Sequence, residues 1–128
     1  MGECHITRER IQLGKEGEAK AVEFLEKNGF VILETNFRRP CGELDVIAQD
    51  DDTLCFIEVR TRTSEDEGHP FETITPTKKQ KIIRTAISYL QEKGDLDVKS
   101  RFDVVAVIPD ENGDYQIELL KNAFEVGR

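Results

Sequence analysis

The chain lacks several features that mark specialised classes of protein. Its 128 residues include no Trp and no hydrophobic run near the about 20 residues that a transmembrane helix needs. Its three cysteines, Cys4, Cys41 and Cys55, form no C-x-x-C motif or Cys/His cluster, which argues against a disulfide framework and a structural zinc site. The N-terminus has no apolar segment typical of a secretory signal. These absences predict a cytoplasmic protein that enters no membrane.

Positive charge is also scarce, with 18 Lys and Arg against 26 Asp and Glu, a formal net charge of −8. Indiscriminate nucleic-acid binding depends on Lys and Arg that neutralise phosphates, so this balance argues against it but leaves room for a local basic patch. The length fits one domain, residues 1–128, with frayed tails at 1–7 and 122–128.

Hydrophobic periodicity predicts an α/β protein with the element order α-β-β-β-α-β-β, a mixed sheet flanked by helices. The first helix runs from about Arg8 to Asn28, and Thr75-Pro76 begins a second helix that ends at Gly94. The predicted strands cover residues 30–35, 43–50, 53–61, 102–108 and 115–120, the last after an Asn112-Gly113 turn. The second helix should bury Ile82, Ile83, Ala86, Ile87 and Leu90.

The first helix carries a carboxylate in its apolar stripe, which consists of Ile11, Gly14, Glu18, Val22 and Leu25. Gly14 and Gly17 each cost a helix interior up to about 1 kcal/mol relative to Ala. We therefore expect another segment of backbone to pass close to these glycines.

The second and third strands form a hairpin if Asp51 and Asp52 are its two-residue loop. Asp45 then lies opposite Glu58, and Glu43 lies opposite Arg60. A three-residue loop would slip this register and separate the two acids. One face of the hairpin is wholly apolar and suited to the helices: Leu44, Val46, Ala48, Cys55, Ile57 and Val59. The other face is apolar in its middle and charged at its open end.

Like charges directly opposite on a sheet are destabilising, so the Asp45 and Glu58 pair needs an explanation. A divalent cation supplies one, because Mg²⁺ is typically bound by one or two carboxylates together with waters and phosphates. Glu18 would be a third carboxylate if its helix docks at this end of the sheet. The alternative is that the two acids face solvent, that Glu18 reaches an Arg, and that Glu43 and Arg60 form an ordinary cross-strand ion pair.

A set of motifs covers the chain from Gly14 to Val107 and resembles the YraN-like family of uncharacterised bacterial proteins. The matching residues are Gly14-x-x-Gly17-Glu18-x-x-Ala21, Asn36-x-Arg38, Gly42-Glu43-Leu44-Asp45-Val46-Ile47-Ala48, Phe56-Ile57-Glu58-Val59-Arg60-Thr61-Arg62, Lys78 and Arg101-Phe102-Asp103-Val104-Val105. That family in turn resembles the PD-(D/E)xK nuclease superfamily of restriction endonucleases and Holliday-junction resolvases.

The resemblance implies a restriction-endonuclease-like core in which Asp45 and Glu58 bind Mg²⁺ or Mn²⁺ and Glu18 assists. The superfamily motif has a lysine where this chain has Arg60. Arginine stays charged and is a poor proton shuttle, but it can act as a fixed cation beside a phosphate. The presence of arginine instead of lysine at position 60 bears on whether the protein is catalytically active and not on its fold.

Nucleic-acid contacts are predicted first for Lys78, which matches the family lysine, and then for Arg38, Arg39 and Arg62 beside the proposed site. Solvated or locally paired side chains are the alternative. Phe37 is the one candidate for an exposed stacking platform. His69 is read as a surface residue and His5 as part of a frayed terminus. Asp103 is read as structural, pairing with Arg101 or capping a turn.

These observations favour a metal-dependent endonuclease that hydrolyses phosphodiester bonds in DNA, with branched or recombination intermediates as substrates and DNA favoured over RNA. The rival is a non-catalytic module of the same fold that binds nucleic acid or a protein. Two further alternatives are a subunit that docks on a larger replication or recombination enzyme and a nuclease that processes RNA. A homodimer, whose symmetry would suit a four-way substrate, and a DNA-repair or recombination protein are the candidate partners.

Overall fold

The chain folds as a mixed five-stranded sheet with two helices, in the predicted order and with a restriction-endonuclease-like layout. The computed structural model describes the backbone of residues 2–61 and 74–124 and the side chains of residues 14–61 and 74–124. The elements are α1 (Gly2–Lys27), β1 (Val31–Arg39), β2 (Gly42–Asp50), β3 (Thr53–Thr61), α2 (Pro76–Lys93), β4 (Ser100–Pro109) and β5 (Tyr115–Phe124). Neither helix, over the part described, has the length and apolarity needed to span a bilayer.

The sheet has the strand order β1-β2-β3-β4-β5, so β1 and β5 are its edges. Neighbouring strands are antiparallel except β3 and β4, which are parallel and therefore need the crossover that contains α2. The predicted β2–β3 register is confirmed from Asp50/Thr53 to Val46/Ile57, with Asp51 in the left-handed region that the tight turn requires.

The two helices cover opposite faces of the sheet, whereas the sequence suggested that one apolar hairpin face takes the helices. Ala21 and Leu25 of α1 pack in a cluster with Val46 and Ile57. Helix α2 packs on the other face, in a cluster that also contains Leu44, Ile47, Leu54 and Phe56. The placement of Leu44 on the face of Val46 is therefore wrong. The side-chain alternation of β2 breaks between these two residues, at Asp45.

Helix α2 begins and ends where its sequence predicts. The Thr75 hydroxyl accepts a hydrogen bond from the Lys78 amide, Pro76 occupies the first turn, and Gly94 closes the helix in the left-handed conformation. Its buried face is rotated from the predicted one, because Thr85 and Tyr89 are buried while 41% of the Ile87 surface is exposed.

Strand β5 extends beyond the predicted end at residue 120 and takes in part of the segment expected to be a frayed tail. Phe124 stacks on Phe102 with 4.9 Å between ring centroids, and this contact holds the strand end. Asp103 is fully buried and structural, as predicted: it accepts hydrogen bonds from the Arg101 guanidinium and from the Asn122 amide. The first helix likewise begins at Gly2, so residues 2–7 are helical in backbone.

Helix α1 lies very close to the end of β3. A Cβ atom at Gly17 would lie 2.2 Å from the Thr61 Oγ1 atom, which real atoms do not tolerate. A close approach is found at Gly17, but the neighbour is the Thr61 side chain and not the backbone segment that was expected. The expectation is not met at Gly14, where an added Cβ would meet nothing within 4 Å. The contact fixes Glu18, the next residue, beside the open end of the hairpin.

We predict that Gly17→Ala lowers the free energy of unfolding by about 1–3 kcal/mol, because the methyl group forces α1 or Thr61 to move. Gly14→Ala is the matched control and should be neutral or stabilising by up to about 1 kcal/mol, since alanine favours helix and has room. Urea unfolding measures both. Adding Thr61→Ala should restore part of the loss in Gly17→Ala; equal stability of the two single variants would refute the close contact.

Candidate acidic site

Asp45 occupies the point where the pairing of β2 with β3 ends. The last paired residues are Val46 and Ile57, so Asp45 and Glu58 are the next residues outward on the two strands. The Asp45 Oδ2 atom accepts a hydrogen bond of 2.7 Å from the Val59 amide. The Asp45 carboxyl group therefore lies between the two strands: its backbone belongs to β2, and its hydrogen bond is to β3.

Glu58 is buried, with only 7% of its surface exposed, and it has cationic neighbours. Its Oε1 atom lies 2.8 Å from the Lys78 ammonium of α2 and 3.9 Å from the Arg60 guanidinium. Lys78, which the sequence placed in a nucleic-acid contact, thus lies in the acidic site itself. It approaches Glu58 more closely than does Arg60, the residue at the motif's lysine position.

Asn36 joins Glu18 to this end of the sheet. With its amide oriented to satisfy its neighbours, the nitrogen lies 3.2 Å from Glu18 Oε2 and 3.3 Å from Glu43 Oε1. Asn36 has a positive φ of 52°, a left-handed conformation that Asn tolerates better than most residues. This unusual backbone turn at Asn36, inside a strand, accompanies the two contacts. Glu43 forms an ion pair with Arg38, whereas the alternative interpretation of the sequence had paired it with Arg60.

The environment raises the pKa of Asp45 to about 8, from 3.8. Burial is the largest cause, followed by the negative charge of Glu58; the charge of Glu18 and a hydrogen bond with the Glu58 carboxyl group add to the rise, and the Val59 amide opposes it. The three carboxyl groups are therefore close enough to influence one another. Burial and the neighbouring negative charges therefore favour the protonated form of Asp45 when no cation is bound.

The donor set suits a hard divalent cation. Carboxylate oxygens are the ligands of Mg²⁺, which commonly uses one or two of them and fills its other positions with water and phosphate oxygens. Asp45 and Glu58 supply such a pair, and a cation between them would relieve the charge repulsion that raises the pKa of Asp45. In the described part of the chain, no group of three or more His, Cys, Asp or Glu side chains has the geometry to hold a metal ion. A full protein cage is thus not what these residues form.

Two other basic residues predicted to bind nucleic acid, Arg38 and Arg39, have acidic partners. Arg38 pairs with Glu43 at 3.1 Å, and Arg39 forms a two-pronged pair with Glu92 while its guanidinium lies 4.0 Å above the Phe37 ring. Arg62 and His69 lie outside the described residues. The prediction that Phe37 is an exposed stacking platform is wrong, since only 4% of its surface is exposed and it packs edge-on against Tyr89.

Two contacts at the acidic site were missed from the sequence. The contact of Lys78 with Glu58 depends on where α2 crosses the sheet, which periodicity does not reveal, although the family motif had already singled out Lys78. Asn36 appeared in the motif without a role, although an Asn within a predicted strand is itself a signal, because strands disfavour Asn.

We predict that Asp45→Asn stabilises the metal-free protein at pH 8 and not at low pH. The folded-state pKa of Asp45 lies above the unfolded value, so the wild type loses stability as pH rises from about 4 to about 8, while the amide has no such loss. The Asn oxygen still accepts the Val59 hydrogen bond. Urea unfolding in a chelator at both ends of that range measures the difference. A variant that is less stable than the wild type at pH 8 would contradict the assignment.

Comparison with known proteins places the chain in a family without an assigned activity. The model of the "Uncharacterised protein family UPF0102" matches residues 17–107. UPF0102 proteins of Desulfosudis oleivorans and Chlorobaculum parvum are 44% and 49% identical over 120 and 119 residues, covering 94% and 89% of this chain and 95% and 92% of theirs. One of Acetivibrio thermocellus is 46% identical over 116 residues, 87% of this chain and 89% of its own. The resemblance drawn from the motifs is thereby confirmed: the chain belongs to the UPF0102, or YraN-like, family.

Proposed function

We propose that this protein is a metal-dependent endonuclease that hydrolyses phosphodiester bonds in DNA. The observation that carries the proposal is the convergence of Asp45 and Glu58 where the β2–β3 pairing ends, beside the Lys78 ammonium 2.8 Å from Glu58. Burial and the negative charge of Glu58 raise the pKa of Asp45, so two negative charges at this place are unfavourable unless a cation joins them.

Asp45 and Glu58 would hold Mg²⁺ or Mn²⁺, with Glu18 assisting from α1. When bound, such an ion supplies positive charge beside the scissile phosphate and lowers the pKa of a water molecule. The Val59 amide fixes the orientation of Asp45, and Asn36 holds Glu18 near it. The protein's own contribution is therefore a pair of carboxylate ligands on two neighbouring strands, with Glu18 of α1 close enough to influence their charge.

Lys78 supplies the cation that the superfamily motif places two residues after its glutamate. It reaches the site from α2, and its flexible ammonium donates to Glu58 in the free protein and to a phosphate oxygen when substrate is bound. Arg60 is a second, fixed cation on the same carboxylate. Together they offset the negative charge that develops on the phosphoryl group.

The second candidate function is a non-catalytic module that binds nucleic acid or a protein partner. The observation that favours it is Arg60 at the motif's lysine position, because arginine does not shuttle protons at neutral pH. This module would bind nucleic acid equally well with and without a divalent cation. Its binding would not depend on the charge of Asp45.

The proposed substrates are branched or recombination intermediates of DNA, as the resemblance to junction-resolving nucleases implies. The cytoplasmic location expected from the sequence stays a prediction. A homodimer and a DNA-repair or recombination partner stay predictions.

Cleavage of a labelled panel of four-way junction, flap, single strand, duplex and structured RNA tests the proposal. With Mg²⁺ or Mn²⁺ we expect the wild type to cut at least one DNA probe and Asp45→Asn to cut none, because the neutral amide no longer holds the ion. Calorimetric titration with Mn²⁺ alone should show binding to the wild type and a loss of at least tenfold in the variant. Probe binding without cleavage, unaffected by metal or by Asp45→Asn, would select the non-catalytic module.

The role of Lys78 has its own test in single-turnover cleavage. Lys78→Ala should lower the rate by about 10²–10³-fold, the usual loss when one stabilising group for developing charge is removed. Lys79→Ala is the matched control, since the next lysine on the helix lies 5.7 Å from the Phe124 ring and away from the acids. Equal rates for the two variants would remove Lys78 from the site.

A further inference from the structure

The N-terminal half of α2 carries an unusual density of positive charge. Four cations, Lys78, Lys79, Lys81 and Arg84, fall within seven residues, and the first acidic residue of the helix is Glu92. Cations near a helix N-terminus oppose the helix dipole, and like charges three or four residues apart repel each other. In a chain with a net charge of −8, this arrangement does not serve helix stability and needs another reason.

Two of these cations are available to an external anion. Lys78 is engaged by Glu58, and Lys79 lies over the Phe124 ring. Lys81 and Arg84 are exposed, and no ion pair joins either of them to an acid within residues 14–61 and 74–124. By contrast, Arg38 and Arg39, the arginines singled out from the sequence, are both neutralised by glutamates.

The available cations extend from Lys78 in a row that winds around the helix, because each three-residue step turns the row by about 60°. Lys78, Lys81 and Arg84 follow one another at intervals of three residues, which brings successive Cβ atoms to about 5–6 Å. Gly42, the first residue of β2, lies close to the backbone of α2, since an added Cβ atom would lie 3.3 Å from the Lys81 carbonyl oxygen. The three side chains therefore form a short basic row that starts at Glu58.

We propose that Lys81 and Arg84 bind backbone phosphates of the nucleic-acid strand whose scissile phosphate lies at Asp45 and Glu58. The inference rests on the proposed function and adds the course of the bound strand, along α2 and away from the paired arginines. Phosphate contacts position a strand without reading its sequence. The basic row therefore contributes affinity for nucleic acid that depends on salt concentration and not on base sequence.

Fluorescence anisotropy with labelled four-way junction, duplex and single-stranded DNA tests this inference. Ca²⁺ replaces Mg²⁺, so that binding is read apart from cleavage. Lys81→Gln/Arg84→Gln should weaken binding on the order of ten- to a hundredfold near 0.1 M salt and reduce the slope of log K against log salt by about 2 for duplex. Lys20→Gln/Lys93→Gln, which removes the same charge from exposed positions elsewhere, should keep the wild-type slope. Arg84→Lys, which keeps the charge, should also keep it.

The outcomes separate this inference from the proposed function. An unchanged slope in the double variant overturns the basic row, even where cleavage still requires Asp45. Equal losses in the Lys20/Lys93 control overturn it too, because net charge alone would then explain the effect. Failure of the wild type to bind any probe also overturns it. Thermal unfolding of each variant should match the wild type, since all four substituted side chains are exposed or at the rim of the fold.

Discussion

The close approach of two carboxyl groups, Asp45 and Glu58, is the constraint on which the rest of this structure depends. The half-buried Asp45 and the buried Glu58 lie on adjacent strands and repel each other when both are charged. The raised pKa of Asp45, which favours its neutral form, the Val59 amide and the Lys78 ammonium reduce this repulsion. The sheet is covered on both faces, so the acids sit at an end of it with apolar packing behind them. Burial makes two negative charges at this place unfavourable, so a bound cation would lower the free energy of the site.

The site is assembled from elements that are distant in sequence, and each has a local reason to be where it is. Gly17 lets α1 approach Thr61 and brings in Glu18, while the left-handed turn at Asn36 accompanies an amide between Glu18 and Glu43. The cap at Thr75 begins α2 so that its first turn delivers Lys78 to Glu58. The site thus lies where β1, the first turn of α2 and the close contact between α1 and β3 meet.

The sequence allowed the element order, the α2 boundaries and the hairpin register to be predicted, because each depends on local chemistry. A two-residue loop with Asp51 in the left-handed region sets the β2–β3 pairing, and Thr75-Pro76 and Gly94 bound a helix wherever it packs. Periodicity could not assign the helices to opposite faces, because the middle of the hairpin is apolar on both sides.

The parts of the site that were missed are those that depend on contacts between remote residues. Leu44 changes face because the alternation of β2 breaks at Asp45, and a strict two-residue period cannot represent such a break. Phe37 packs against Tyr89 of α2, a residue distant in sequence, and Arg39 of its own strand lies over the ring. Lys78 was recognised as a functional candidate, but a phosphate was predicted as its partner and the structure shows the Glu58 carboxylate. The position of α2 over the sheet, which decides this contact, cannot be read from the sequence of the helix.

The most direct test of the account is the anomalous X-ray signal of Mn²⁺ in crystals of the protein. We expect one peak between Asp45 and Glu58, at about 2.0–2.2 Å from an oxygen of each, with the Lys78 ammonium displaced from Glu58. A peak at another place on the surface, or none at saturating Mn²⁺ with Lys78 still paired to Glu58, would contradict the claim that these acids form a metal site.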